Sequence, residues 1–226
     1  MSIDLIQIQL YILGIVVIVL ISICIQRVVK SYNTESRNSS IFFLLIYVFT
    51  LLVVLLGLIG KYAPYQSPLA IFMLRLADSF TVIILMNMTF FASSVLYGTI
   101  HSDKKALFFT IFVIIESTFI VIFYWVAPIQ FTVAEFNEIT YVFNVPLTIA
   151  YFPLILPILY LFIKMEKIDE PNKWKHRLLL IAFICAIMEL AFDMPGTFPE
   201  LLFVWRSFAL VSMIIVIIAL LLPRKE

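Results

Sequence analysis

Apolar residues dominate seven stretches of this chain, and short polar segments divide them. The first stretch runs from about Leu5 to Gln26, the second from about Ile41 to Gly60, and the third from about Pro68 to Leu96. A fourth spans about Ala106 to Ala127 and a fifth about Tyr141 to Ile163. The sixth, the shortest, covers about Leu178 to Met194, and the seventh about Pro199 to Leu222. Each is near or above the roughly 20 residues that cross about 30 Å of hydrocarbon. In lipid an unpaired backbone amide finds no water, so such runs are expected as helices. The pattern therefore predicts an all-α integral membrane protein: one transmembrane domain over residues 1–226, built as a bundle of seven transmembrane helices.

Composition strengthens that reading. Hydrophobic residues make up 64% and charged residues 13%, where a soluble domain is nearer half and a quarter. Cys24 and Cys185 fall inside apolar runs, where thiols act as small packing residues. His101 and His176 lie in polar segments, and neither histidine nor cysteine spacing suggests a metal. The 22 phenylalanines are expected to pack or face lipid. Tyr62, Tyr65, Trp125 and Trp174 sit at the ends of runs, as an interfacial aromatic belt would place them.

The net charge of +1 conceals a strong asymmetry. Twelve basic residues, among them Arg27, Lys104, Lys167, Lys175 and Arg224, fall in the odd-numbered loops and the tail. Lys61 alone lies on the other side. That bias predicts an N-terminus outside and a C-terminus in the cytoplasm, in the cell membrane. The first run is too long for a signal-peptide core and has its basic residues behind it, so it reads as an uncleaved span. The segment Lys164–Arg177 suits topology first, and also contact with anionic lipid or a cytoplasmic partner protein. Nothing in it suggests nucleic-acid binding.

One motif is written twice. Pro64-Tyr-Gln-Ser-Pro68-Leu-Ala-Ile-Phe72-Met-Leu-Arg75 opens the third run, and Pro195-Gly-Thr-Phe-Pro199-Glu-Leu-Leu-Phe203-Val-Trp-Arg206 opens the seventh. Proline suits the first helical position because its missing N–H has no partner there. Runs three and seven point the same way across the membrane. The match thus suggests a 3+1+3 plan: parallel repeats at 1–98 and 141–222, joined by a fourth helix at about 106–127. Runs one and five do not match visibly; Pro146, Pro153 and Pro157 all fall in the fifth and should kink it.

This plan resembles the sugar-transporting SWEET and PQ-loop proteins in length and orientation, without their proline-glutamine signature. Arg75-Leu-Ala-Asp78 is similar to the Arg-x-x-Asp of microbial rhodopsins. The seventh run, however, has no lysine between Leu201 and Leu222 to bind retinal. No cofactor is expected.

Charges inside the runs are the candidate chemistry, because intramembrane ions face an interior, pair, or mark a pathway. Arg75 and Arg206 each lie about 10 Å inside their helix starts at the helical rise per residue. Asp78 is one turn below Arg75, and Glu189 and Asp193 share a face in the outer half of the sixth run. These five residues should converge at one depth, either as an ion-pair network locking helices together or as an outward-facing site for a small polar ligand or ion. Arg206 is expected to pair with Glu189 or Asp193. Glu116, about mid-bilayer in the fourth run with no charge near it there, is a candidate protonatable residue: an interhelical hydrogen-bond donor or a proton-coupling site. Asn87 is expected to act as interhelical glue.

Function follows only coarsely. A small-solute or ion transporter accounts for the repeat plan, the intramembrane charges and the proline-broken helix. A seven-helix receptor or sensor would account for the outward-facing cluster but would need a partner to signal. A structural subunit is the third class. Enzyme motifs are lacking: there is no intramembrane histidine, phosphate loop, nucleophile signature or metal cluster.

Overall fold

Each of the seven apolar runs forms a helix. The computed structural model describes residues 3–30, 34–97, 104–133, 138–141, 144–168, 173–192 and 202–221. The helices are α1 (Ile3–Lys30), α2 (Thr34–Tyr62), α3 (Pro68–Tyr97), α4 (Lys104–Val126), α5 (Asn144–Ile168), α6 (Lys173–Phe192) and α7 (Leu202–Leu221). Among the described residues, three of them carry segments long and apolar enough to cross a membrane: Ser39–Tyr62, Pro68–Leu96 and Leu107–Val126. Shorter apolar helical segments lie at Tyr11–Gln26, Ile149–Lys164 and Arg206–Leu221. The outer surface is apolar, with Ile15, Phe119, Leu156 and Val126 all exposed. Broad apolar surface of this kind marks contact with lipid or protein rather than water.

Several helices outrun their apolar cores. Glu35 and Arg37 fall in the first turn of α2, ahead of its apolar run, and Lys173 begins α6 five residues before Leu178. Lys, Arg and Glu are good helix formers, so charge alone does not end a helix. Arg177 folds back over the exposed Trp174 ring, 5.3 Å from its centroid.

The first copy of the repeated motif is a turn followed by a cap. Gln66 adopts a left-handed backbone (φ 55°), and the Ser67 amide donates to the Pro64 carbonyl at 2.9 Å. Ser67 then caps α3: its Oγ accepts from the Ala70 amide at 3.1 Å, with Pro68 in the first helical position. The second copy's loop, Pro195 to Leu201, lies outside the described residues.

One expectation is corrected. The segment between α4 and α5 is an antiparallel hairpin, β1 (Ile129–Val133) with β2 (Glu138–Tyr141), so the fold is not wholly helical. Tyr141 pairs with Ile129 as a strand residue instead of starting a helix, and the register shifts between Phe131 and Val133. Alternation in Ile-Gln-Phe-Thr-Val and the β-branched Ile139-Thr140 favour strand over helix.

Neighbour order defines the bundle. α1 packs on α2, α2 on α3, α3 on α5, α5 on α6, α6 on α7, and α7 returns to α1. α4 packs against α3 and α5. α3 is the most enclosed: half of its most apolar window is buried, against 22% in α2 and in α4. Aromatic rings stitch neighbouring helices. Phe43 meets Phe91 at 4.8 Å, Phe91 meets Phe162 at 6.2 Å, and Phe162 meets Phe183 at 4.5 Å, linking α2, α3, α5 and α6 in turn.

Gly60 sets the closest approach. A Cβ there would lie 2.8 Å from the buried Leu74 Cγ and 3.4 Å from the Ala70 carbonyl, so at this point α2 and α3 come this near only because the residue has no side chain. A Cβ at Gly57 would meet nothing within 4 Å. Gly60→Ala should destabilise the folded protein by roughly 1–3 kcal/mol, the usual cost of overpacking. Gly57→Ala should be neutral or stabilising, because alanine is the better helix former. Thermal unfolding of the purified protein in detergent compares the two. Adding Leu74→Ala should relieve the Gly60→Ala defect if the clash is its cause.

Candidate functional site

Arg75 has a specific task. It lies on α3 beside the end of α4, and its Nη2 donates to the Ala127 carbonyl at 2.9 Å while Nη1 donates to the Trp125 carbonyl. The last carbonyls of a helix have no partners within it, and the helix dipole makes that end negative. A planar guanidinium meets both needs at once. The arrangement closes on itself: Trp125 Nε1 donates to Ser79 Oγ at 3.1 Å, and that hydroxyl donates to the Arg75 carbonyl at 2.8 Å. Phe72 adds an edge-to-face contact with Trp125 at 5.6 Å. Arg75 is therefore a clamp between α3 and α4, a use that its spacing from Asp78 did not suggest.

The other charges within the apolar helices are enclosed by the bundle. Asp78, Glu189 and Arg206 are all buried, at 7%, 9% and 7% exposure. Each is engaged by neighbours within the bundle. α6 and α7 pack against each other, Glu189 lies three residues before the described end of α6, and Arg206 lies four residues after the described start of α7. The α1–α7 seam beside them is pinned by Gln9 Nε2 donating to Ser207 Oγ at 3.1 Å. Asp193 lies outside the described residues. Glu116 is half-buried at the border of the α4 stripe formed by Val113, Ser117, Ile120 and Tyr124. Asn87 is buried, and its Nδ2 donates to the Ile83 carbonyl of its own helix at 2.8 Å.

Two tyrosines join this region. The Tyr124 and Tyr151 hydroxyls hydrogen-bond to each other across α4 and α5, and both rings are fully buried.

Inside the ring lies a cavity of about 70 Å³. α1 contributes Leu13, α2 a face from Ile46 to Val54, and α3 Ile84 and Met88. α6 supplies Phe183, Ala186 and Glu189, and α7 supplies Ala209, Ser212 and Met213. Its lining is mostly apolar and includes four residues with polar side chains: Glu189, Tyr47, Thr50 and Ser212. Those three hydroxyl residues were invisible to a search for charges. Their sequence signal is weak, because serine and threonine within apolar helices commonly bond back to their own backbone and a tyrosine there reads as an aromatic packing residue. Thr50 does so, donating to the Ile46 carbonyl at 2.7 Å.

Comparison with known proteins finds no relative: no family model, no curated protein and no solved structure matches the chain. Function must be argued from the geometry alone.

Arg75→Met should cost roughly 2–4 kcal/mol of stability, since hydrogen bonds to charged groups contribute about 1.5–3 kcal/mol each. Arg75→Lys should recover only part of this, lacking the two-pronged donor. Trp125→Phe should cost about 1 kcal/mol and couple to Ser79→Ala in a double-mutant cycle read by thermal or denaturant unfolding.

Proposed function

We propose that the chain crosses the membrane seven times, N-terminus outside, and moves a small polar solute or ion through the cavity at Glu189. The observation that carries this reading is the cavity itself, bounded by helices from both ends of the chain and holding a buried carboxylate. A structural ion-pair network explains buried charges, but it gives no reason for a space beside them.

The neighbour pattern supports a two-part mechanism. In the first half α1 packs on α2 and α2 on α3; in the second α5 packs on α6 and α6 on α7. The third helix of each half then meets the first helix of the other, α3 with α5 and α7 with α1. That is the neighbour relation expected of repeats at 1–98 and 141–222 related by an axis along the membrane normal. Repeats of this kind can rock against each other around a central site and expose it to each side in turn. α4 serves as the connector. The basic residues on the odd-numbered loops favour the stated orientation.

In this scheme Glu189 is the ligand-binding group. Arg206 and Asp78 set the charge around it, and Glu116 is a protonatable group outside the ring. Three measurements test the reading. Single cysteines at Ser102 and at Ser36 should both be labelled from the cytoplasmic side. Purified protein in liposomes should mediate flux of a small solute or ion, and Glu189→Gln should abolish it while the variant still elutes as folded protein. If flux is proton-driven through Glu116, Glu116→Gln should remove its pH dependence. Ligand binding with no flux in any liposome assay would overturn transport and assign the bundle to sensing.

A further inference from the structure

We infer that the basic patch where α5 passes into α6 seats an anionic phospholipid, its headgroup at Lys173, Lys175 and Arg177 and its acyl chains along the exposed face of α6. The inference rests on the membrane-spanning reading and is independent of transport.

Charge is the first argument. Between Lys164 and Arg177 the chain carries five basic residues and three acidic ones, so two positive charges remain after every possible pairing. Local partners for Lys173, Lys175 and Arg177 therefore do not cancel the excess. Those three cations fall within five positions, immediately before the apolar run that opens at Leu178. Each such residue close to an anionic membrane surface adds to the attraction.

The second argument is the shape of the exposed face. Among the described residues of α6, Trp174, Ile181 and Ile184 are the exposed ones. With Arg177 they lie at i, i+3, i+7 and i+10, a single stripe about 80° wide. The stripe is cationic and aromatic at its start and purely apolar about 10 to 15 Å further along. A phospholipid has the same order of parts over the same distance.

The Trp174 indole decides between partners. It is 72% exposed and carries the Arg177 guanidinium over its ring, 5.3 Å from the centroid. Tryptophan is favoured at headgroup level, where its ring meets hydrocarbon and its N–H meets water. A guanidinium has five donors, so one that stacks on a ring and meets a neighbour still has N–H groups for a phosphate. A free phosphate would use the cations and leave the ring and the isoleucines uncovered. A soluble protein would cover the cationic turn and stop at the apolar stripe beyond it. In the orientation proposed above the turn faces the cytoplasmic leaflet, the side where anionic lipids collect.

The experiment uses full-length protein in phosphatidylcholine nanodiscs with a small fraction of brominated lipid, either phosphatidylglycerol or phosphatidylcholine. Bromine quenches nearby tryptophan, and the share due to Trp174 is the part missing from Trp174→Phe. Brominated phosphatidylglycerol should quench Trp174 saturably and at the lower mole fraction. Lys175→Gln or Arg177→Gln should raise the fraction needed by about fivefold each. Lys175→Arg keeps the charge and should bind as wild type does, as should Lys104→Gln at the start of α4. Equal quenching by the two lipids would overturn the inference, leaving Trp174 an ordinary interfacial residue. Relief of quenching by inorganic phosphate at fixed ionic strength would overturn it in favour of a free anion. Quenching by neither lipid would overturn it in favour of a soluble partner. Only that last outcome also counts against the membrane-spanning reading, so the two fail separately.

Discussion

The structure depends on how an arginine is accommodated inside an apolar bundle. Removed from water, the Arg75 guanidinium needs acceptors, and the last turn of α4 offers carbonyls that need donors. Each deficit cures the other. Because Arg75 sits on α3, the most enclosed helix, this contact ties a peripheral helix to the centre of the ring. Ser79 and Trp125 then fix the rotation of α3 about its own axis, which directs Asp78 inward, three residues from Arg75 and one from Ser79. The clamp on one side of α3 and the buried carboxylate on another are parts of a single arrangement.

Much of this was legible in the sequence. Seven apolar runs became seven helices, because apolar length and backbone pairing leave few alternatives. The turn at Pro64–Pro68 was legible as well: a proline at the first helical position after a serine carries its own capping instruction. Of the candidate site, Asp78, Glu189 and Arg206 are buried as their cost in an apolar segment requires. What the sequence could not reveal was the direction each faces. Arg75 and Arg206 occupy the same place in the repeated motif, yet Arg75 is half-buried toward α4 while Arg206 is buried on the stripe that continues through Ala209 and Met213. Direction depends on which helix lies alongside, and no local motif encodes that.

The hairpin between α4 and α5 was missed for a different reason. All of its nine strand residues except Tyr141 fall between the fourth and fifth apolar runs, in a mildly acidic segment with Glu135 and Glu138 that reads as a loop when only long apolar runs are sought. Two alternating stretches of four and five residues are too short to stand out in such a scan. The hydroxyls of Tyr47, Thr50 and Ser212 were missed because their significance is collective. Singly, each is an ordinary residue in an apolar helix; together, on α2 and α7, they face one space.

That space also explains why small residues line two of the helices beside it. Ala186 on α6 and Ala209 on α7 occupy positions where a leucine would fill the cavity and add apolar burial. In a lipid environment there is little hydrophobic force to draw helices together, so packing and polar contacts must hold them. A void in such a bundle gives up dispersion contacts that nothing else replaces. The ring nevertheless closes around it, held at one seam by Gln9 and Ser207 and at others by the phenylalanine contacts linking α2, α3, α5 and α6. A bundle optimised for stability alone would fill that volume, and a buried carboxylate at its wall makes leaving it open costlier still.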